Sequence, residues 1–145
     1  KEDFIGLLPT IGKSVALLMI KPDNFKDVND SCGHAAGDQV LNLMAIFLQS
    51  ELGEDDIGIR YKGDEFAAVL IDTTKEKAIA RAKEIMSAYK TMDVTGLTGG
   101  KKIVIHVSIG ISLYPDQSPD SSKLVDDAYK KMYRAREAGG SRIVV

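Results

Sequence analysis

Residues 14–20 read SVALLMI, a continuous apolar run with turn signals around it. A strand with one wet face alternates apolar and polar side chains. A run without polar interruption reads as a central strand buried on both faces. Such a strand needs neighbours on both edges and a layer above and below, so this segment narrows the fold more than any other. Pro22 stops the strand and sits near a helix start. Asp23 or Asn24 is placed to cap a short helix through Asp30, which Gly33 breaks. Over residues 39–52, Val40, Leu41, Leu43, Met44, Phe47 and Leu48 form a helical stripe, with Gly53 as its stop.

Residues 57–61 and 65–71 read as two strands joined by a tight turn at Lys62-Gly63-Asp64. Thr73 or Thr74 caps a long helix to about Met92, with Ile79, Ala82, Ile85, Met86 and Tyr89 on its apolar face. Residues 95–102 are a turn. Ile103, Ile105, Val107, Ile109, Ile111 and Leu113 alternate along a long strand with one packed face. Residues 115–121 form a loop. Ser121 or Ser122 starts a last helix through about Ala138, ended by Gly139-Gly140, and residues 143–145 are a short terminal strand. This order gives an α/β (α+β) sandwich, a central, mostly antiparallel sheet of about five strands flanked by helices, compatible with the ferredoxin-like βαββαβ plan.

At 145 residues the chain has the size of one domain. A net charge of −2 supplies no basic field for nucleic acid or an anionic membrane. No apolar run reaches transmembrane length, and no signal peptide opens the chain. The first residue is Lys1, so the expectation is one domain over residues 1–145, excised from a larger multidomain protein. The single cysteine, Cys32, fits a reducing, cytoplasmic compartment and reads as a small filler rather than a nucleophile.

The chemistry concentrates at Arg60-Tyr61-Lys62-Gly63-Asp64-Glu65-Phe66, a hairpin tip with adjacent carboxylates. Paired carboxylates at a strand end suit the hard cations of phosphoryl transfer. Gly-Asp is also ordinary turn chemistry. Upstream stand Asp23-Asn24-Phe25-Lys26, Asn29-Asp30, Gly33-His34 and Gly37-Asp38; downstream stand Val107-Ser108-Ile109-Gly110-Ile111 and Tyr133-Arg134-Ala135-Arg136. In order and spacing these segments resemble the GGDEF domain, the diguanylate cyclase family, over nearly the whole chain.

The resemblance implies the ferredoxin-like palm of nucleotide cyclases. It also implies two domains meeting head to head, each holding one GTP with Mg²⁺ or Mn²⁺, and each 3′-hydroxyl attacking the other α-phosphate to give cyclic di-GMP. Asn29 and Asp38 match guanine-edge contacts, for which an amide and a carboxylate suit the O6 acceptor and the N1 and N2 donors. Helix capping is the alternative for both. His34 matches a nearby pocket position and Gly63 a glycine at the substrate. Lys26 matches a cation near the phosphates, with an exposed helix lysine as the alternative. Asp64 matches the metal-ligating carboxylate and proposed base, Glu65 the adjacent acid, and the Pro22 carbonyl a backbone metal ligand. His106 matches nothing and reads as a surface or half-buried strand residue.

The pattern breaks at chemically critical positions. The family's first strand ends in Asp-x-Asp; here it is Lys21-Pro22-Asp23, a local change of two charge units. A unit charge pair about 4 Å apart at an effective dielectric near 20 is worth about 4 kcal/mol, so the change should sharply weaken metal binding. Lys62 replaces the signature's first glycine, where a side chain crowds the substrate or strains a turn that needs positive φ; the milder reading points Lys62 to solvent. Arg136 stands where the family has a lysine, and Gly140 where it commonly has an arginine that Arg142 is close enough to replace. The family's feedback site, Arg-x-x-Asp, is here Gly53-Glu54-Asp55-Asp56, without the arginine that grips phosphate and guanine.

Three readings follow: a degenerate domain that binds GTP or another guanine nucleotide and regulates an attached sensor or effector domain, a working cyclase, or a dimerisation module without nucleotide. All three expect no nucleic acid, no membrane contact by this domain, and a cytoplasmic site, including the soluble end of a membrane-anchored protein.

Overall fold

The computed structural model describes residues 14–114 and 121–145. Along the chain run β1 (Val15–Pro22), α1 (Phe25–Cys32), α2 (His34–Ser50), β2 (Ile57–Lys62), β3 (Glu65–Ile71), α3 (Lys75–Thr91), β4 (Val107–Tyr114), α4 (Ser121–Glu137) and β5 (Ile143–Val144). The five strands lie in the order β2-β3-β1-β4-β5. Every pair is antiparallel except β4 with β5.

The all-apolar run occupies the middle of this sheet, as its lack of alternation requires. Ala16, Leu18 and Ile20 enter the larger core under α1, α2 and α3. Val15, Leu17 and Met19 enter the smaller core under α4. The same period continues in β3, where Phe66, Ala68 and Leu70 face the larger core and Ala67 and Val69 the smaller. Lys21 and Glu65 are the next positions on the α4 side of their strands.

Two element starts and the burial of one strand differ from the sequence pattern. Helix α2 starts at His34, five residues before the apolar stripe, because Gly33 turns the chain at φ 91°. Its first turn packs on α1 through Gly37, a buried contact without a hydrophobic side chain. Strand β4 starts at Val107 rather than Ile103, because its partner β1 ends at Pro22, opposite Val107. Ile105 is fully buried without being in a strand. Strand β4 is also buried on both faces: Ser108, Gly110 and Ser112 lie under α4, where small residues let the helix sit close.

The caps are mixed. Thr74 caps α3 by accepting from the Lys77 N–H. Neither Asp23 nor Asn24 caps α1 with its side chain, since Asn24 donates to the Val104 carbonyl and Asp23 is engaged elsewhere. His106 is half-buried, as expected, beside the Ser141 hydroxyl. Cys32 is half-buried at the end of α1. The loop expected over residues 115–121 lies outside the described residues except for Ser121, which begins α4. Among the described residues no helix is long and apolar enough to cross a membrane.

Candidate functional site

The β2–β3 turn is a two-residue loop, Gly63-Asp64, closed by pairing of Lys62 with Glu65. Gly63 sits at φ 54°, and positive φ at the first loop position is what a type II′ hairpin assigns to glycine. The register shifts between Arg60 and Lys62, so Tyr61 forms a bulge. The Arg60 guanidinium donates to the Gly63 carbonyl at 2.9 Å and to Asn42 Oδ1 at 3.2 Å, tying the turn to α2.

Lys62 therefore does not occupy the strained position, and the expectation of a disrupted turn is corrected. It is exposed, with its ammonium 5.8 Å from the Tyr61 ring centroid and 5.6 Å from that of Tyr129.

An open cleft of about 370 Å³ lies between the hairpin and the α1–α2 pair. Its walls bring together Lys26, Asn29, Asp38, Gly63 and Asp64, with Phe25 and Leu41 as the apolar floor and Arg60 at the hairpin side. Asn29 and Asp38 are not caps, since Asn24 and Gly33 hold the N-cap positions of α1 and α2. The Asn29 amide is pressed against Gly37, where an added Cβ would lie 1.9 Å from Oδ1. An open cleft with an apolar floor and an amide and a carboxylate on its walls suits a flat base with both donors and acceptors. His34 is exposed and is not part of the lining.

Behind Asp64, on the α4 side of the hairpin, the carboxylates meet a cation. Lys21 donates to Asp64 Oδ1 at 2.9 Å and to Glu65 Oε2 at 3.4 Å. Its side chain is only 15% exposed and that of Glu65 6%, whereas Asp64, at 26%, faces the cleft. Tyr129 donates to both Glu65 oxygens at 2.6 Å, and Tyr133 donates to Oε2 at 3.3 Å. The two tyrosine rings meet edge to face, 5.2 Å apart.

Burial alone would lower the Lys21 pKa. The Asp64 hydrogen bond and the charges of Asp64 and Glu65 outweigh that, so the ammonium titrates above the usual lysine value. Burial and the hydrogen bond to Glu65 raise the Tyr129 pKa.

Asp23 belongs to a separate knot at the end of α4. Oδ1 accepts from the Ser108 hydroxyl at 2.5 Å, and Oδ2 from the Ser141 N–H at 2.8 Å. Arg136 approaches the same carboxylate at 3.9 Å. Gly140 has φ 75°, and a Cβ there would lie 2.7 Å from the Asp23 carboxylate, so the missing side chain makes room for this knot. Arg142 donates to the Gly140 carbonyl. Pro22 is buried as the last residue of β1.

On the opposite side, Asp56 closes its own loop, accepting from the Gly53 N–H at 3.1 Å and the Ile71 N–H at 3.0 Å. Arg81, which lines the surface cleft beside Asp56, donates to the Glu51 carbonyl.

A divalent cation such as Mg²⁺ takes about six oxygen ligands. Here an ammonium lies between the hairpin carboxylates, and Glu65 also accepts from two tyrosines. Both oxygens of Asp23 are occupied. Among the described residues no group of three or more His, Cys, Asp or Glu side chains is arranged to hold a metal. The donor set as arranged does not fit the ion.

Arg60, Tyr129 and Tyr133 escaped the sequence reading as site residues. Their signals were faint: Arg60 begins the hairpin string, and Tyr129 and Tyr133 share a helix face at i, i+4. Nothing in the order of residues says that this face meets Glu65.

The chain is 34% identical over 133 residues to diguanylate cyclase A of Treponema denticola, covering 92% of this chain and 35% of that protein. It is 32% identical over 129 residues to the cyclic di-GMP phosphodiesterase NbdA of Pseudomonas aeruginosa, covering 88% of this chain and 16% of that one. It thus spans about a third or less of the length of these curated relatives. Among solved structures, the GGDEF domain of TpbB (YfiN) from Pseudomonas aeruginosa superposes with a TM-score of 0.89 at 31% identity, covering 99% of this chain and 93% of that one. The family described as diguanylate cyclase, GGDEF domain matches residues 8–142. With that match spanning hairpin, cleft and last helix, the chain belongs to the diguanylate cyclase GGDEF-domain family.

Proposed function

We propose that this domain is a catalytically degenerate GGDEF domain that binds a guanine nucleotide and serves as a regulatory module in cyclic di-GMP signalling. The observation that carries this reading is the Lys21 ammonium held by Asp64 and Glu65 beside an open cleft that keeps Asn29 and Asp38. The base-binding half retains the chemistry guanine needs. In the other half, Asp64, the residue matched to the family's metal ligand and base, is tied up by a lysine.

Lys26 and Arg60 line the cleft and supply positive charge for a phosphate tail, while Arg136, at Asp23, adds charge from α4. Relatives that carry such a domain include one named for breaking down cyclic di-GMP, so presence of the domain does not by itself mean synthesis. The regulated element is an attached sensor or effector domain or a second copy of this domain. Cyclic di-GMP itself is not expected on the Gly53–Asp56 loop, where the Asp56 oxygens accept from the Gly53 and Ile71 N–H groups and no arginine stands at position 53.

The test is calorimetry of GTP with the purified domain, followed by product analysis of the same sample with Mg²⁺ or Mn²⁺. The expected result is saturable GTP binding, weakened by Asn29→Ala, with little or no cyclic di-GMP. Robust metal-dependent product formation overturns the proposal.

A further inference from the structure

Adjacent carboxylates at a hairpin tip repel each other, and a cation between them relieves that repulsion. In this molecule the cation is covalently built in. Lys21 follows Met19 on the α4 face of β1, and its side chain runs from that core to Asp64 and Glu65. We infer that Lys21 is a resident cation that takes the place of a divalent metal, so that ligand binding in the cleft runs without metal.

The observations converge from three sides. First, the ammonium contacts both carboxylates, at 2.9 and 3.4 Å, and is itself largely shielded from water. A divalent ion arriving there must displace it and leave a buried positive charge beside a second one, which is strongly unfavourable. Second, Glu65 is 4% exposed and already accepts from Tyr129 and Tyr133, so little of its acceptor capacity is left for a metal. Third, the neighbouring acid, Asp23, is committed to Ser108 and Ser141.

Toward the cleft, the effect of the lysine is electrostatic. Asp64 and Glu65 alone carry two negative charges and would repel a phosphate tail; with Lys21 the trio carries one. Lys26 lines the same cleft from α1, across from Asp64, and supplies a further fixed positive charge. The base contacts at Asn29 and Asp38 involve no metal. Metal-free binding of a nucleotide rests on the proposed nucleotide-binding reading, whereas exclusion of the metal does not.

The experiment therefore has two arms on the folded domain. In the first, uptake of Mn²⁺ by the protein alone is followed by electron paramagnetic resonance. Lys21→Asp and Lys21→Met, each checked for a cooperative melt, should take up Mn²⁺ with an affinity at least about tenfold above the unaltered protein, since each removes the resident charge. Having two variants keeps the arm decisive if one fails to fold. In the second arm, GTP is titrated calorimetrically in EDTA and in Mg²⁺. The Kd of the unaltered protein should agree within about twofold between the two, while Lys21→Asp should bind more tightly with Mg²⁺ than with EDTA.

Mn²⁺ uptake by the unaltered protein equal to that of the variants overturns the inference. So does GTP binding that is lost in EDTA. If GTP binds in neither solution while only the variants take up Mn²⁺, the role of Lys21 stands and the nucleotide reading falls.

Discussion

Burial pulls the Lys21 ammonium toward its neutral form, but the hydrogen bond and charge of Asp64, with the charge of Glu65, hold it above the ordinary value of 10.5. A base with a raised folded pKa adds stability that is full below its unfolded value and is lost as pH rises through the folded one. Burial and Glu65 likewise hold the Tyr129 hydroxyl in its neutral form past the ordinary 10.0, so ionisation of the unfolded chain costs stability in the same direction. Thermal melts should therefore fall steeply above about pH 10, and Tyr129→Phe should flatten that slope. At neutral pH the same substitution should cost about 1.5–3 kcal/mol, because a buried carboxylate loses its best donor. Lys62 is a control at this scale. Its ammonium lies over two rings at an exposed site, so Lys62→Ala should change stability by no more than about 1 kcal/mol.

Between elements, glycines set two decisive distances. Helix α4 crosses β4 directly over Gly110, where a Cβ would lie 2.2 Å from the Ala128 carbonyl and 2.3 Å from the Met132 nitrogen. Those are backbone atoms that cannot rotate away, so Gly110→Ala should push the helix outward and cost about 1–3 kcal/mol in denaturant unfolding. The same displacement carries Tyr129 and Tyr133 away from Glu65. At Gly37 the clash is with a side chain, Asn29 Oδ1 at 1.9 Å. Gly37→Ala should turn the amide away and leave the melt nearly unchanged while weakening GTP binding at least about fivefold, the loss of about one hydrogen bond. A melt lowered in parallel with binding would show instead that α1 itself had shifted.

Over the whole molecule, β1 lies at the centre of the sheet, with the larger core on one face and the smaller under α4 on the other. The cleft lined by Asn29 and Asp38 opens on the α1–α2 side, whereas the Lys21–Glu65–Tyr129 cluster lies on the α4 side; Asp64 at the hairpin tip joins them. Synthesis by the family's head-to-head arrangement needs two such sites, so forced dimerisation through a fused coiled coil should still yield little or no cyclic di-GMP. In that dimer Lys21→Asp should raise product formation, and adding Lys62→Gly should contribute little more, because positive φ in the turn falls on Gly63. Chromatography of the product separates these outcomes. Much of this organisation is legible in the order of residues. A seven-residue apolar run without alternation, bounded by turn signals, reads as a central strand, and Lys21 in an otherwise familiar Asp-x-Asp position announces a change of charge. Asn29, Asp38 and Asp64 enter as site candidates through the family resemblance of the motif order; their residue types alone fit helix capping and turn formation as well. What it does not contain is distance. The start of α2 is held by a glycine contact that leaves no hydrophobic trace, and β4 begins only where β1 can pair with it. Whether Lys21 turns away from the carboxylates or bridges them depends on which face of β1 it occupies and on a helix folded back from more than 100 residues later. Electrostatics falls off with separation in space, and only the tertiary fold sets that separation.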